Sequence, residues 1–358
     1  MRDLIDLRSD TVTRPTAAMR RAMAEAEVGD DVIDADPTTE RLQKRVAEVL
    51  EKEAAIFMPS GSMTNQIAIR VHCQPGDEFL CEANCHVYNY EQGAFAQLSG
   101  LVARTIPGDQ GRLKLSQLEG SIRPENDHLV RTRLVTIENT HNRAGGAVQD
   151  YAEVERICRW AHQHGLATHL DGARLFNACA ATGRSPTEWA QHFDSVSICF
   201  SKGLGAPVGS ALAGPADLIR HAKRCRKLFG GGMRQSGILA AGALYALENH
   251  VDRLSDDHQH AQLLAEAIHE SPALTLYGDR VETNIVIFHV DPHWGTAQQF
   301  VQQLGEQGVA MLAISPTSVR AVTHLDVTAD DCRRAAEVIV TVGRRRSSAP
   351  APTVSHGS

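Results

Sequence analysis

Along most of the chain, short apolar runs alternate with longer stretches in which apolar positions recur at helical spacing. The runs Ala54–Met58, Glu78–Cys81, Val102–Ile106, Leu134–Glu138, Leu166–Leu170 and Val196–Phe200 end in polar or turn-forming residues and predict buried strands. Pro15 is placed to start a helix over Thr16–Glu27. Thr38 or Thr39 caps another, with Leu42, Val46, Val49 and Leu50 on one face. Further helices are expected after Gly61 and Asn89 and over Leu113–Ile122, Tyr151–His164, Gly237–Glu248 and Arg253–His269. Strands alternating with helices imply an α/β fold, a mostly parallel sheet with helices on both faces. A smaller α+β pattern follows: strand Asn284–Val290, helix Ala297–Gln307, strand Arg320–Thr323 and helix Ala329–Val342. The organisation expected is a large domain over 1–250 with a polar N-terminal arm, a small domain over 251–343, and a tail over 344–358. That tail is rich in Arg, Ser, Pro and Ala, has little to bury, and is expected to be disordered.

Composition narrows the function classes. The 358 residues are 42% hydrophobic and 22% charged, with a formal net charge of -7. That charge argues against nucleic acid as the main partner. No apolar run approaches the ~20 residues that span a bilayer. The opening Met1-Arg2-Asp3-Leu4-Ile5-Asp6 lacks an apolar signal core. A cytoplasmic protein with no membrane partner is therefore expected. The 8 cysteines include no CxxC pair and read as buried reduced thiols. Cys73, Cys81, Cys85 and His86 match no common zinc spacing. Asp30, Asp31, Asp34 and Asp36 lack the glycine and closing glutamate of a calcium loop and read as a solvated, helix-capping stretch. No metal is expected.

The candidate chemistry centres on Ser201-Lys202-Gly203-Leu204-Gly205, at the end of a predicted strand. A lysine at the dry mouth of a sheet can lose its proton and attack a carbonyl to form a Schiff base. Taken alone, such a lysine is more often a strand-end residue reaching solvent. Other residues expected at the same edge change that reading. Asp171 follows the preceding strand, and Ser60-Gly61-Ser62 opens a helix whose free N–H groups suit an anion. Neither GxxxxGK nor GxGxxG occurs, so a single phosphate fits better than a nucleotide. His86 offers a flat ring at a helix entry. Ligands of such folds bind beyond the carboxyl ends of the strands. A planar phosphorylated aldehyde with a basic ring nitrogen meets every demand. That is pyridoxal 5′-phosphate, with its Schiff base on Lys202 and Asp171 on the ring nitrogen. Arg224, Arg226, Lys227 and Arg234 around Gly230-Gly231-Gly232 read either as a flexible basic loop or as a limb reaching a phosphate, in a neighbouring subunit if not in this one.

Several motifs together resemble one family. Asp6-Leu7-Arg8-Ser9-Asp10-Thr11-Val12-Thr13, Val28-Gly29-Asp30-Asp31-Val32, Glu138-Asn139-Thr140-His141-Asn142 and Asp171-Gly172-Ala173-Arg174 are four of them. Ser201-Lys202-Gly203-Leu204-Gly205-Ala206-Pro207-Val208-Gly209-Ser210 and Gly230-Gly231-Gly232-Met233-Arg234-Gln235-Ser236-Gly237 are the others. They look like the low-specificity L-threonine aldolases, fold-type I pyridoxal-phosphate enzymes that split L-threonine and L-allo-threonine into glycine and acetaldehyde. The resemblance runs from about Leu4 to Val342. It implies Lys202 as Schiff-base lysine, Asp171 as partner of the pyridine nitrogen, His86 as the ring-stacking histidine, and Gly61 with Ser62 at the phosphate. Arg174, Ser201 and Arg234 complete the implied cofactor set. Ser9, Arg174 and Arg320 match the groups that hold the substrate carboxylate, for which a guanidinium fork is suited. His128 matches a second active-site histidine, and His86 or His128 is the candidate base. Ser62 stands where the family usually has threonine, and Tyr90 where relatives can have phenylalanine. A homotetramer, a dimer of dimers with active sites at subunit boundaries, is implied as well. The alternatives are a lyase for bulkier β-hydroxy amino acids such as phenylserine, a β-eliminating lyase, or a silent binding protein on the same fold.

Overall fold

A computed structural model describes residues 4–344. The chain divides into two compact units, Thr13–Ser255 and Met1–Val12 with Asp256–Ser358. The N-terminal arm thus clusters with the C-terminal part of the chain. Of the expected tail, Arg344 closes the last helix, Ala329–Arg344, and 345–358 lie outside the described residues.

The larger unit is built on a seven-stranded sheet. Five neighbouring strands are parallel: Ser195–Cys199, Ala167–Gly172, Arg131–Glu138, Asp77–Glu82 and Val102–Ile106. Ser210–Gly214 then runs antiparallel beside Ser195–Cys199, and Ala54–Met58 antiparallel beside that. Ala54–Met58 therefore points the same way as the five, so its carboxyl end shares their edge. The strand Ser210–Gly214, missed by the apolar pattern, is small and glycine-containing, and it follows too soon after its neighbour to be anything but antiparallel. Its approach turn needs Gly209, whose φ is +108° and whose added Cβ would lie 2.4 Å from the Phe57 ring.

Helices cover both faces. Leu42, Val46 and Leu50 of Pro37–Leu50 pack with Ile157 and Ala161 of Tyr151–Gln163 and with Phe57, Val135, Leu170 and Val196 of the sheet. On the opposite face Ile67 and Ala68 of Gly61–His72 pack with Ile219 and Ala222 of Ala216–Leu228 and with Ile56, Met58 and Leu212. The helix expected over Leu113–Ile122 is confined to Leu115–Leu118, because Gly120 takes a left-handed φ of +77°.

The smaller unit has a four-stranded antiparallel sheet ordered Leu312–Ala313, Ser318–Val322, Ile285–Val290, Leu274–Leu276. Phe288, Val319 and Ala321 meet Phe300 and Leu304 of the helix Ala297–Glu306 and Ile339 of the last helix. Ile5–Asp6 adds a parallel pair with Val309–Ala310.

The aspartate stretch departs from expectation. Asp36, not Thr38 or Thr39, caps Pro37–Leu50, accepting from the Thr39 N–H at 2.8 Å. Asp36 is fully buried and also accepts from Gly29 and Gly237 N–H. Asp31 is buried against Arg226, at 2.6 Å, and that guanidinium also donates to the Phe57 carbonyl. Arg226 therefore belongs to the packed body, not to a flexible basic loop. Arg226→Met should cost about 3–5 kcal/mol in chemical denaturation by stranding Asp31. Replacing Asp31 as well with an apolar residue should recover most of the loss.

Candidate active site

The carboxyl edge of the large sheet gathers the polar residues that the core cannot use. Asp171 ends one parallel strand, and Ser201-Lys202 follows the next. The Gly205 N–H closes the turn on the Lys202 carbonyl at 2.9 Å, and Thr13 donates its hydroxyl to the same oxygen. Ser60 follows the strand Ala54–Met58 and caps Gly61–His72 by accepting from the Met63 N–H, leaving the Gly61 and Ser62 N–H groups without intrahelical acceptors. His86 opens the short helix His86–Asn89 beyond Asp77–Glu82. Lys202, Asp171, His86, Gly61 and Ser62 therefore share one edge. Lys202 and Asp171 are near enough to His86 to act on its charge.

Beneath them lies a buried polar network. Asn65 donates from one amide nitrogen to Asp171 Oδ2 at 2.8 Å and to Glu91 Oε1 at 3.0 Å. Gln66 donates to the other Glu91 oxygen. His86 Nδ1 lies 2.9 Å from Glu91 Oε1, and the Ala173 N–H donates to Asp171 Oδ1. The Ser197 hydroxyl donates to Asn65 Oδ1, which fixes the amide the right way round. Behind it, burial pushes His169 down to about 3 and His72 to about 4, so both are neutral around the Ser195 hydroxyl that joins them. For His86, burial opposes the charge, but the hydrogen bond to Glu91 and the charges of Asp171 and Glu91 outweigh burial and Lys202, and its pKa is raised.

The remaining predicted residues are placed unevenly. Arg174 is buried at the start of Leu175–Thr182, and Ser201 Oγ lies 3.4 Å from Cys199 Sγ. Arg234 pairs with Asp30 at 3.0 Å. In the smaller unit Arg320 donates to the Arg8 carbonyl, which sets it beside Ser9. His128 is not brought to the group. It sits exposed in the loop that enters Arg131–Glu138, and in a parallel strand that loop belongs to the opposite edge from Asp171. Glu91 and Asn65 went unnoticed in the sequence. A lone glutamate after tyrosine, and an asparagine inside an amphipathic helix, carry no local signal; the one hint was a polar Asn65-Gln66 pair on the sheet side.

The geometry finds its counterpart among known proteins. Residues 6–292 match the beta-eliminating lyase family. The chain is 42% identical over 332 residues to low-specificity L-threonine aldolase 1 of Arabidopsis thaliana, covering 91% of this chain and 93% of the relative. It is 44% identical over 329 residues to the low specificity L-threonine aldolase of Escherichia coli K12, covering 91% and 95%. The chain belongs to the beta-eliminating lyases, among the low-specificity L-threonine aldolases. A Leishmania major threonine aldolase structure shares the fold with a TM-score of 0.81 at 22% identity, covering 95% of this chain and 99% of that one. The protein is a lyase with the fold-type I architecture, and its family depends on pyridoxal phosphate.

The residues present fit that cofactor. Asp171 is a buried carboxylate that accepts from two N–H donors, with no cationic side chain bonded to it among the described residues. The buried Ser210 hydroxyl has no hydrogen-bond partner among the described residues and lies beside Gly61, 3.4 Å from where a side chain there would begin. Glu91→Gln should lower the His86 pKa, read by NMR titration of the apoprotein. A raised folded pKa contributes stability below the unfolded value that is lost as pH climbs through the folded one. The stability gap between wild type and Glu91→Gln should therefore be larger at about pH 6 than at about pH 8.5.

Proposed function

We propose that the protein cleaves L-threonine and L-allo-threonine to glycine and acetaldehyde, with the Lys202 amine as its anchoring group. The observation that carries this is the shared edge of Lys202, Asp171 and His86 over a buried amide that bridges two carboxylates. Lys202 would hold the aldehyde of pyridoxal phosphate, Gly61 and Ser62 would offer N–H groups to its phosphate, and Asp171 would face its ring nitrogen. Ser201 and Arg174 border the cofactor, and Arg234 serves it from a neighbouring subunit. The protonated ring supplies a sink for the electron pair released when the substrate Cα–Cβ bond breaks.

The chain's own groups do the rest. Arg174 would hold the α-carboxylate and so orient the substrate. His86 donates from Nδ1 to Glu91, so in its neutral form Nε2 is the acceptor available for the β-hydroxyl proton. That support favours His86 over His128 as the base. Its raised pKa makes it the stronger acceptor, and kcat/KM should rise as pH climbs through that value.

The protein acts in the cytoplasm, in glycine metabolism, as a homotetramer built as a dimer of dimers. In support, all eight cysteines are free and seven are buried, as suits a reducing compartment. Exposed Ile33, Leu228 and Ile238 offer apolar surface to another copy. No helix among the described residues is long and apolar enough to cross a membrane. The larger unit, Thr13–Ser255, carries the cofactor-binding residues Lys202, Asp171, His86, Gly61 and Ser62. Purified enzyme given L-threonine should yield glycine and acetaldehyde in equal amounts; pyruvate with ammonia would instead mark a β-eliminating lyase. Lys202→Ala should lose turnover and the visible cofactor absorbance together. Light scattering should return four times the chain mass.

A further inference from the structure

Arg143 reaches toward His86 through Tyr90, and threonine cleavage leaves both Arg143 and Tyr90 unused. Arg143 lies in the turn Asn142–Ala144, just past the carboxyl end of Arg131–Glu138. The buried Glu138 carboxylate ties that turn to the histidine segment. One oxygen accepts from the Asn142 N–H at 2.9 Å and the other from the His86 N–H at 2.6 Å. The backbone just before Arg143 and that of His86 are therefore tied to the same side chain. The Arg143 guanidinium sits 5.8 Å from the centre of the Tyr90 ring, and that ring lies 5.6 Å from the His86 ring. Arg143 is half-buried and makes no ion pair among the described residues, whereas Arg123, Arg131, Arg226 and Arg234 each hold a carboxylate. A guanidinium stacked on an aromatic face keeps its N–H edge free for a planar anion.

We infer that Arg143, presented by Tyr90, receives an anionic β-substituent, and that the enzyme also cleaves β-hydroxy-α-amino acids whose β-carbon bears a carboxylate. This rests on the aldolase reading, and on His86 lying beside the reacting bond. The chemistry is that of threonine with carboxylate in place of methyl. The β-hydroxyl proton leaves to the base, the Cα–Cβ bond breaks, and the β-carbon becomes the aldehyde of a two-carbon oxo-acid. The α-carbon takes up a proton to become glycine, and no redox partner is needed. Threonine's methyl would leave Arg143 to solvent. A carboxylate would give it a charge-assisted, two-pronged partner.

The test compares L-threonine with the threo and erythro forms of L-3-hydroxyaspartate on the holoenzyme, following glycine and the aldehyde product. Wild type should cleave at least one hydroxyaspartate isomer. In Arg143→Met the ratio of kcat/KM for that isomer over L-threonine should fall roughly 10- to 100-fold, the range of one charge-assisted hydrogen bond, chiefly through KM. Arg143→Lys should restore part of it. Titration calorimetry with L-aspartate, which has the distal carboxylate but no β-hydroxyl to react, should show the same ordering of affinities. Cleavage of threonine but of neither hydroxyaspartate, or an unchanged ratio in Arg143→Met, would overturn the inference and leave the aldolase reading standing. Cleavage of none of the three would overturn both.

Discussion

One asparagine amide holds this site together. Asn65 spends its two N–H donors on two buried carboxylates, Asp171 and Glu91, while Ser197 occupies its oxygen. Burying two like charges in one pocket is costly unless each meets donors in fixed positions. Here Gln66, His86 and the Ala173 N–H supply the remainder. The two carboxyl groups are thus held apart in fixed positions, one at the end of a parallel strand and one behind the histidine. Displacing the amide would leave both carboxylates short of a donor at once, which makes the network cooperative.

The sheet makes that amide useful. Five parallel strands deliver their loops to one edge, and Ala54–Met58 delivers Gly61 there too because two antiparallel steps restore its direction. Asn65, one turn into the helix that begins at Gly61, then looks down on the strand that carries Asp171. The free N–H groups of Gly61 and Ser62 and the carboxylate brace of Asn65 are two ends of a single helix turn. A shift of that helix would disturb both.

Charge explains the division of labour around His86. Glu91 and Asp171 pull its pKa up, burial and Lys202 pull it down, and the sum leaves a histidine that titrates above its ordinary value. Farther in, burial keeps His169 and His72 neutral, and among the described residues no carboxylate is bonded to either. The same side chain does different work in one network because its hydrogen-bonded carboxylate neighbours differ.

The alternation of apolar runs with helical spacing determined the α/β class, since strands buried on both faces must be apolar throughout. The residues just past those runs, Asp171, Lys202 and the Ser60-Gly61-Ser62 turn, were equally legible, because parallel strands send such positions to one edge. Sequence could not show that Asp31 pairs with Arg226, since 195 positions separate them and each reads as a surface charge. Nor could it show that Asn65 bridges two carboxylates, or that Glu138 ties the turn at Asn142 to His86, because partners across a sheet have no fixed spacing in the chain. Strand direction, invisible in the sequence, sets His128 at the entry edge of its own sheet, opposite Asp171. Local pattern determines which elements form and which ends bear chemistry; only the packed fold decides which side chains meet, because contact depends on distance in space.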